Sequence, residues 1–237
     1  MPRASSDRQI IRVVSFDLDD TFWDCAPAIA NAEQALYEWH RVNTPRITDA
    51  HDAHDAASLL QFRAGIREQY PHLAGCVTAI RMQSLRSLLE QFGYSQSLAE
   101  PAFQVFYRAR SEVVIYPQVM ELLHDLSGRY KVAAITNGNA DLEYIGIAHL
   151  FDKILSADLQ LKAKPHSDMF ERCINHFDVQ AHEVLHIGDN PVTDIVGGIE
   201  AGVQTLWFNQ HGSAWPENLP EPHFRAESIE GIVQFLR

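Results

Sequence analysis

Two aspartates stand two positions apart directly after an apolar run near the start of the chain. Asp17 and Asp19 follow the β-branched segment Ile11 to Phe16. Side chains two residues apart on extended backbone point the same way, so both carboxylates are expected to face one cavity. Such a pair is costly to bury unless a cation neutralises it or one carboxyl keeps a proton. The spacing therefore predicts a cation site, an acid–base site, or both.

Other polar side chains follow later apolar runs in the same way. The groups at these positions are a hydroxyl, an amide, an ammonium and two further carboxylates: Thr136, Asn137, Lys164, Asp189 and Asp194. In an open parallel sheet the ligand site lies beyond the carboxyl ends of the strands, so these side chains are predicted to converge. The candidate metal ligands are all oxygen donors, and no histidine is among them. The expected ion is therefore hard, Mg²⁺ before Ca²⁺, and not Zn²⁺.

The elements that must position these groups are short apolar strands alternating with amphipathic helices. Runs without polar alternation indicate strands buried on both faces. They occur at 11–16, 131–135, 153–156, 183–187 and 203–208. Helical patterns separate them at 117–126, 167–177, 192–201 and 229–236. This alternation predicts an α/β fold, a Rossmann-like doubly wound parallel sheet.

The stretch from 25 to 113 has helical patterns and no convincing strand, and it is too long for one crossover. We therefore predict a catalytic core of residues 1–24 and 114–237, with 25–113 as an inserted all-helical cap. His51 and His54 lie in this stretch. A solvated helix face is favoured for them over a metal pair.

Composition excludes several classes of protein. The formal charge is −12, which repels phosphate backbones and argues against a nucleic-acid partner. No apolar run approaches the length of a membrane span, and the beginning of the chain does not resemble a signal peptide. The three cysteines, Cys25, Cys76 and Cys173, are widely spaced and odd in number, as expected for free thiols. We expect a cytoplasmic protein with no membrane partner. Nothing in the sequence predicts its oligomeric state.

Four motifs in order resemble the haloacid dehalogenase superfamily of hydrolases. They read DLDDT from Asp17, AITNGN around Thr136, KPHSDMF from Lys164, and GDNPVTD from Gly188 to Asp194. The resemblance covers residues 11–24 and about 114–210. The helical insertion after the first motif resembles the family's C1 cap.

The resemblance implies phosphoryl transfer through an aspartyl phosphate. Asp17 would be the nucleophile, and Asp19 the general acid and then the base. Mg²⁺ would bind the Asp17 carboxylate, the Asp19 backbone carbonyl and Asp189, with Asp194 orienting this shell. Thr136 and Lys164 would hold the transferring oxygens, and Asn137 would assist through its backbone.

The same resemblance favours a phosphatase for a small phosphorylated metabolite. Dehalogenases of the superfamily lack the second acid, and phosphonate-cleaving relatives need a cap lysine that residues 25–113 do not contain. Similarity along the chain suggests FMN or the ribitylaminopyrimidine phosphate of riboflavin synthesis as substrate. The alternatives are another phosphate ester (phosphoglycolate, a sugar phosphate or a nucleotide), a 2-haloacid dehalogenase, or a non-enzymatic receiver-like switch. Candidate selectors are Trp23, which could stack on a ring or pack at the hinge, and the arginines Arg63, Arg67, Arg81 and Arg86.

Overall fold

The computed structural model describes residues 10–50 and 56–237, so His51 and His54 lie outside the described residues. Within these ranges six strands form one parallel sheet in the order β3-β2-β1-β4-β5-β6. The strands are β1 (Val13–Phe16), β2 (Lys131–Thr136), β3 (Lys153–Ser156), β4 (Val184–Gly188), β5 (Gln204–Phe208) and β6 (Phe224–Ala226). The predicted α/β fold with a parallel sheet is confirmed.

The strand at the centre of the sheet is β1, and its register fixes the geometry of the site. Phe16, its last residue, lies beside Ala134 of β2 and Ile187 of β4. The next residue, Asp17, continues the pairing by donating its backbone N–H to the Ile187 carbonyl at 2.9 Å. Strands β1, β4 and β5 are buried along their whole length, as expected when helices cover both faces.

Five helices of the core surround the sheet: α6 (Pro117–Leu126), α7 (Leu142–Ile145), α8 (Asp168–Phe177), α9 (Gly197–Glu200) and α10 (Ile229–Leu236). The predicted helix at 192–201 is split, because a turn of π-helix (Pro191–Val196) precedes α9. The Asn190 side chain caps this turn by accepting from the N–H groups of Val192 and Thr193.

Within the described ranges, five further helices lie between β1 and α6 in the chain: α1 (Cys25–Asn43), α2 (Pro45–Ala50), α3 (Ala56–Gln69), α4 (Val77–Gln91) and α5 (Ala99–Arg110). We call residues 25–110 the helical segment. It has a hydrophobic cluster made of its own residues, among them Leu36, Leu89 and Phe106. The two connections to the sheet lie side by side, since Tyr116 N–H donates to the Phe22 carbonyl at 2.9 Å. The domain boundaries stay a prediction.

None of the helices within the described ranges has the length and apolar character that crossing a membrane requires.

Candidate active site

Parallel register brings the predicted strand-end residues to one edge of the sheet. Asp17 follows β1, Thr136 ends β2 and Asp189 follows β4, while Lys164 lies in the loop after β3 and Asp194 in the π-helical turn after β4. Three of the carboxylates, those of Asp17, Asp189 and Asp194, have oxygens within 4.8 Å of one another. The strand-end convergence expected from the sequence is therefore present in the structure.

Lys164 lies at the centre of this group. Its ammonium donates to Asp17 Oδ1 at 2.7 Å, to Asp194 Oδ1 at 2.6 Å and to the Ile135 carbonyl at 2.6 Å. The side chain is almost wholly buried, so these three acceptors replace its hydration. Burial would lower the pKa of Lys164, but the two carboxylates raise it above its usual value, so the ammonium stays charged.

The three clustered carboxylates differ in their proton affinity because their neighbours differ. Burial, with further contributions from Asp194 and Asp19, raises the pKa of Asp17 well above its usual range, against the pull of Lys164. Burial, with repulsion from Asp194 and Asp20, raises the pKa of Asp189 to about 7. Burial acts on Asp194 in the same direction, but Lys164 and the bond to His186 hold its pKa well below the usual range.

One ammonium leaves this carboxylate group with excess negative charge, so its chemistry suits a hard divalent cation. Asp17 and Asp189 have oxygens free for such an ion. The oxygens of Asp194 already accept bonds, Oδ1 from Lys164 and Oδ2 from the Asn190 N–H at 2.9 Å. This arrangement agrees with an orienting role for Asp194. The backbone carbonyl of Asp19 as a ligand stays a prediction.

Asp19 stands apart from the carboxylate cluster. Its Oδ1 accepts from the Trp23 indole at 2.8 Å, and its Oδ2 accepts from Arg110 Nη2 at 2.5 Å. Arg110 ends helix α5 and is buried, and its Nε donates to Asn139 Oδ1 at 3.1 Å. Asn139 in turn donates to the Thr78 hydroxyl on α4 at 3.0 Å. The second aspartate is thus tied to the helical segment, and Asp17 is tied to the core.

The loop after β2 supplies hydroxyl and backbone groups. The Thr136 hydroxyl oxygen accepts from the Gly138 N–H at 2.9 Å, which leaves its O–H proton available to a ligand. A Cβ at Gly138 would lie 2.2 Å from Asp19 Oδ2, so only glycine fits there. The Asn137 side chain bonds both backbone groups of Lys164, N at 2.7 Å and O at 2.9 Å. Asn137 therefore positions the lysine loop, and the predicted backbone contact with substrate stays a prediction.

Two residues of the site were not predicted from the sequence, Arg110 and His186. Arg110 lies in no motif and is 91 residues from its partner Asp19. His186 lies inside the apolar run of β4, where its Nε2 is 3.3 Å from Asp194 Oδ1 and its Nδ1 is 3.0 Å from the Ser15 hydroxyl. Burial lowers the pKa of His186 to about 4, so the ring is neutral. A histidine among buried β-branched residues was the only sequence signal for it.

Trp23 requires a correction as a substrate-stacking residue. Its side chain is 0% exposed and packs in the core cluster beside Phe22. Because the indole is enclosed and donates to Asp19, packing at the hinge is the role that the structure describes.

The cap arginines fall into two groups. Arg63 and Arg81 both donate to Glu33 Oε1, at 2.7 and 3.0 Å. With Arg67 and Arg110 they line a cavity of about 190 Å³ next to Asp19. Arg86 is exposed and does not line that cavity. A second cleft, of about 550 Å³, is lined by Thr136 and shares Asn139 with the first cavity.

The fold is an α/β core that gathers carboxylates and a lysine at the carboxyl edge of a parallel sheet. A family model described as haloacid dehalogenase-like hydrolase matches residues 11–202. The chain belongs to the haloacid dehalogenase-like hydrolase family, which confirms the resemblance of its four motifs.

Its relatives include both phosphatases and a dehalogenase. The chain is 30% identical to the 5-amino-6-(5-phospho-D-ribitylamino)uracil phosphatase of Escherichia coli, over 95% of this chain and 96% of that one. It is 24% identical to the N-acylneuraminate-9-phosphatase of Mus musculus, over 96% and 94%. A structure described as 2-haloacid dehalogenase from Pseudomonas syringae superposes with a TM-score of 0.88 and 33% identity, covering 96% and 98%. The phosphatase relatives support the predicted enzyme class, phosphoric monoester hydrolase.

Proposed function

We propose that this protein is a Mg²⁺-dependent phosphatase that hydrolyses a small phosphorylated metabolite through an aspartyl phosphate on Asp17. The observation that carries this proposal is the division of labour between two aspartates. Asp17 lies against Lys164 in the carboxylate cluster, and Asp19 lies apart, held by Trp23 and Arg110. A hydrolase that works in two steps needs one carboxylate to attack and another to move protons.

In the first step Asp17 attacks phosphorus, and the leaving oxygen takes a proton from Asp19. In the second step Asp19 removes a proton from water, which attacks phosphorus and releases inorganic phosphate and Asp17. Lys164 and the Thr136 hydroxyl neutralise and orient the phosphoryl oxygens, which is the main requirement of phosphoryl transfer. Both oxygens of Asp19 accept hydrogen bonds, so the described arrangement suits the ionised base of the second step.

A divalent cation held by Asp17 and Asp189 would supply the positive charge that keeps Asp17 ionised and screens the phosphate. Asp194 contributes by positioning Lys164, and it is itself held by His186 and Asn190. The fold excludes water from this carboxylate cluster and fixes the distances between its side chains.

The similarity to the structure described as a 2-haloacid dehalogenase favours one second candidate, displacement of halide by Asp17. The position of Asp19 argues for the phosphatase. A halide ion leaves without a proton, so dehalogenation has no use for a second acid beside the nucleophile.

Within the phosphatase class, two substrate types remain. Similarity to the Escherichia coli relative supports the ribitylaminopyrimidine phosphate of riboflavin synthesis, and FMN stays a candidate from the sequence resemblance. The arginine-lined cavity supports a leaving group that carries its own negative charge.

Hydrolysis of p-nitrophenyl phosphate with and without Mg²⁺ tests the proposed reaction. We expect Mg²⁺-dependent release that the Asp17→Asn variant abolishes, whereas the control Glu121→Gln on the exposed face of α6 retains it. Halide release from 2-chloropropionate is measured in parallel. Equal phosphate release by wild type and Asp17→Asn, or halide release alone, contradicts the proposal. FMN and the ribitylaminopyrimidine phosphate, compared with sugar phosphates, then test the riboflavin-pathway substrate.

A further inference from the structure

The cavity beside Asp19 is lined by an unusual concentration of positive charge. Four guanidinium groups border its volume of about 190 Å³: Arg63, Arg67, Arg81 and Arg110. Three of them come from helices α3 and α4, and Arg110 ends α5. The helical segment therefore closes over this cavity with cations from three different helices, within a protein whose net charge is −12.

Two of these arginines share one carboxylate. Glu33 accepts from both Arg63 and Arg81, and Asp19 accepts from Arg110. Arg67 has no ion-pair partner among the residues that the structure describes. Burial lowers the pKa of Arg81 to about 10, and the nearby Arg63 and Arg67 act in the same direction. Like charges held this close are costly unless an anion joins them.

Arg110, which lines the cavity, also has a donor without an acceptor. Nη1 of Arg110 is enclosed and makes no hydrogen bond within the described ranges, while Nη2 and Nε are both used. An unsatisfied donor on a charged group costs about 1–3 kcal/mol or more. The guanidinium of Arg110 therefore retains a donor that Asp19 and Asn139 do not use.

The place of the cavity says which part of a substrate would enter it. Asp19 lines it, and in the proposed reaction Asp19 protonates the oxygen that leaves. The 550 Å³ cleft beside Thr136 is not lined by Asp19. The alcohol part of the substrate therefore belongs among the arginines, and the phosphate belongs with Lys164 and Thr136.

We propose that this arginine cavity is a subsite for a second anionic group, so that the substrate is the phosphate ester of a small acid: its alcohol part carries a carboxylate or another phosphate. This inference rests on the proposed phosphatase function and narrows its substrate. The leaving group of FMN is uncharged and bulky. At about 190 Å³ the cavity is smaller than the roughly 300–1,000 Å³ of pockets for drug-sized molecules, which favours a short acid.

Arg67 offers the cleanest test because it is exposed and has no ion-pair partner among the described residues, so its replacement leaves no buried carboxylate unpaired. Two matched pairs of substrates differ only at the second group: 3-phosphoglycerate against glycerol 3-phosphate, and propanediol bisphosphate against 3-hydroxypropyl phosphate. For the wild type we expect kcat/KM for one or both acidic members to exceed that of the neutral member at least tenfold. In Arg67→Gln this ratio should fall about tenfold, the loss expected for one charge-assisted hydrogen bond. The control Arg86→Gln removes the same charge from an exposed position on α4 and should keep the wild-type ratio.

The possible outcomes distinguish a failure of the anionic subsite from a failure of the proposed phosphatase reaction. If p-nitrophenyl phosphate is hydrolysed but both pairs show a ratio near one, or if Arg86→Gln lowers the ratio as much as Arg67→Gln, the anionic subsite is wrong and the phosphatase stands. If no ester is hydrolysed, the proposed function fails. Calorimetric titration of the same pairs into Asp17→Asn protein then decides the subsite, and equal affinities for acidic and neutral members overturn it. A preference for 3-phosphoglycerate in the first pair indicates a carboxylate subsite, and a preference for propanediol bisphosphate in the second pair indicates a phosphate subsite.

Discussion

At the scale of single residues, the site shows how surroundings assign different tasks to two aspartates of one short motif. Asp17 is buried against a lysine, with its carboxylate in the cluster that suits a cation. Asp19 is partly exposed to the arginine cavity, and its oxygens are held by Trp23 and Arg110. The first position favours attack on phosphorus, and the second favours exchange of protons with the leaving group and water.

Replacement of Asp19 should slow hydrolysis according to the leaving group. Asp19→Asn removes the acid, so we expect kcat to fall about 10²–10⁴-fold for an alkyl phosphate, whose alkoxide needs a proton. For p-nitrophenyl phosphate the loss in the first step should be much smaller, because nitrophenolate leaves unprotonated. Rapid-quench measurement of phosphoenzyme formation with both substrates distinguishes the two cases. Asp20→Asn, a change at the neighbouring carboxyl, serves as the control, and equal losses on both substrates in Asp19→Asn would contradict the acid role.

The residues of the site could be predicted from the sequence where they lie at the end of a predicted strand. Asp17, Thr136 and Asp189 lie at the ends of predicted strands, so parallel register brings them together, whereas Lys164 lies in the loop after β3 and is positioned by the Asn137 side chain. Arg110 and His186 were not predictable, because their partners, Asp19 and Asp194, are fixed by tertiary packing and not by spacing. For Trp23 the sequence left ring stacking and hinge packing open, because a position beside a motif says nothing about burial.

At the scale of elements, the turn after β4 depends on the absence of a side chain at Gly188. A Cβ there would lie 2.4 Å from Asp194 Cγ, closer than any real contact. The side chain that comes closest to Gly188 is that of Asp194. The π-helical turn that carries Asp194 therefore packs directly on the end of the strand.

Gly188→Ala should displace Asp194 and with it the Lys164 ammonium, which lies 2.6 Å away. We expect a loss of about 1–3 kcal/mol in the free energy of unfolding, the usual cost of overpacking, together with a fall in kcat. Urea denaturation and steady-state kinetics measure both. Gly65→Ala is the matched control: a Cβ there meets nothing within 4 Å, and alanine should stabilise helix α3 by up to about 1 kcal/mol. Wild-type kinetics in Gly188→Ala would show that Asp194 does not position the lysine.

His40 makes helix α1 sensitive to acid. Burial lowers the pKa of His40 to about 4, and its Nδ1 lies 2.7 Å from the Thr44 hydroxyl. Since an unfolded histidine titrates near 6.5, the unfolded chain binds more protons between the two values. This contribution to stability is complete above about pH 6.5 and is lost as pH falls towards 4, by on the order of 3 kcal/mol.

The difference between His40→Gln and wild type isolates this effect. Unfolding free energies measured from pH 7 to pH 4 should fall less steeply in His40→Gln, and the exposed control His149→Gln should follow the wild type. Parallel pH profiles for wild type and His40→Gln would mean that His40 is not buried in its neutral form.

The elements themselves were largely predictable, because buried parallel strands and amphipathic helices leave clear patterns. Helix α6 and strand β3 have the predicted limits, and the other predicted strands shift by only one or two residues. Strand β6 was missed because Phe224–Ala226 is three residues long and lies at the edge of the sheet. The π-helical turn was missed because side-chain bonds from Asn190, not apolar periodicity, determine it.

At the scale of the whole molecule, the charge of −12 is distributed unevenly. Carboxylates gather at the carboxyl edge of the sheet, and arginines gather above it on the helical segment. The carboxylates at the edge of the sheet suit a bound cation. The space between that edge and the arginines suits an anion.

Mg²⁺ should therefore stabilise the folded protein. A cation that binds only the folded state at 100 times its Kd adds about 2.7 kcal/mol to the free energy of unfolding. We expect the urea midpoint to rise with Mg²⁺ at constant ionic strength and the rise to be largely lost in Asp189→Asn. A midpoint that is the same in Mg²⁺ and in EDTA would contradict the metal site.

The order of the strands has a consequence for synthesis on the ribosome. The central strand β1 is made first, but its partner β4 follows about 170 residues later, since Val13 pairs with Val184. The helical segment has its own hydrophobic cluster, so it can fold while β1 waits unpaired, once α5 has been made and can pack on α1. The nucleophile is thus translated among the first residues and becomes competent among the last, when Asp194 has emerged. A nascent chain that stalls before that point holds the first motif without its catalytic surroundings.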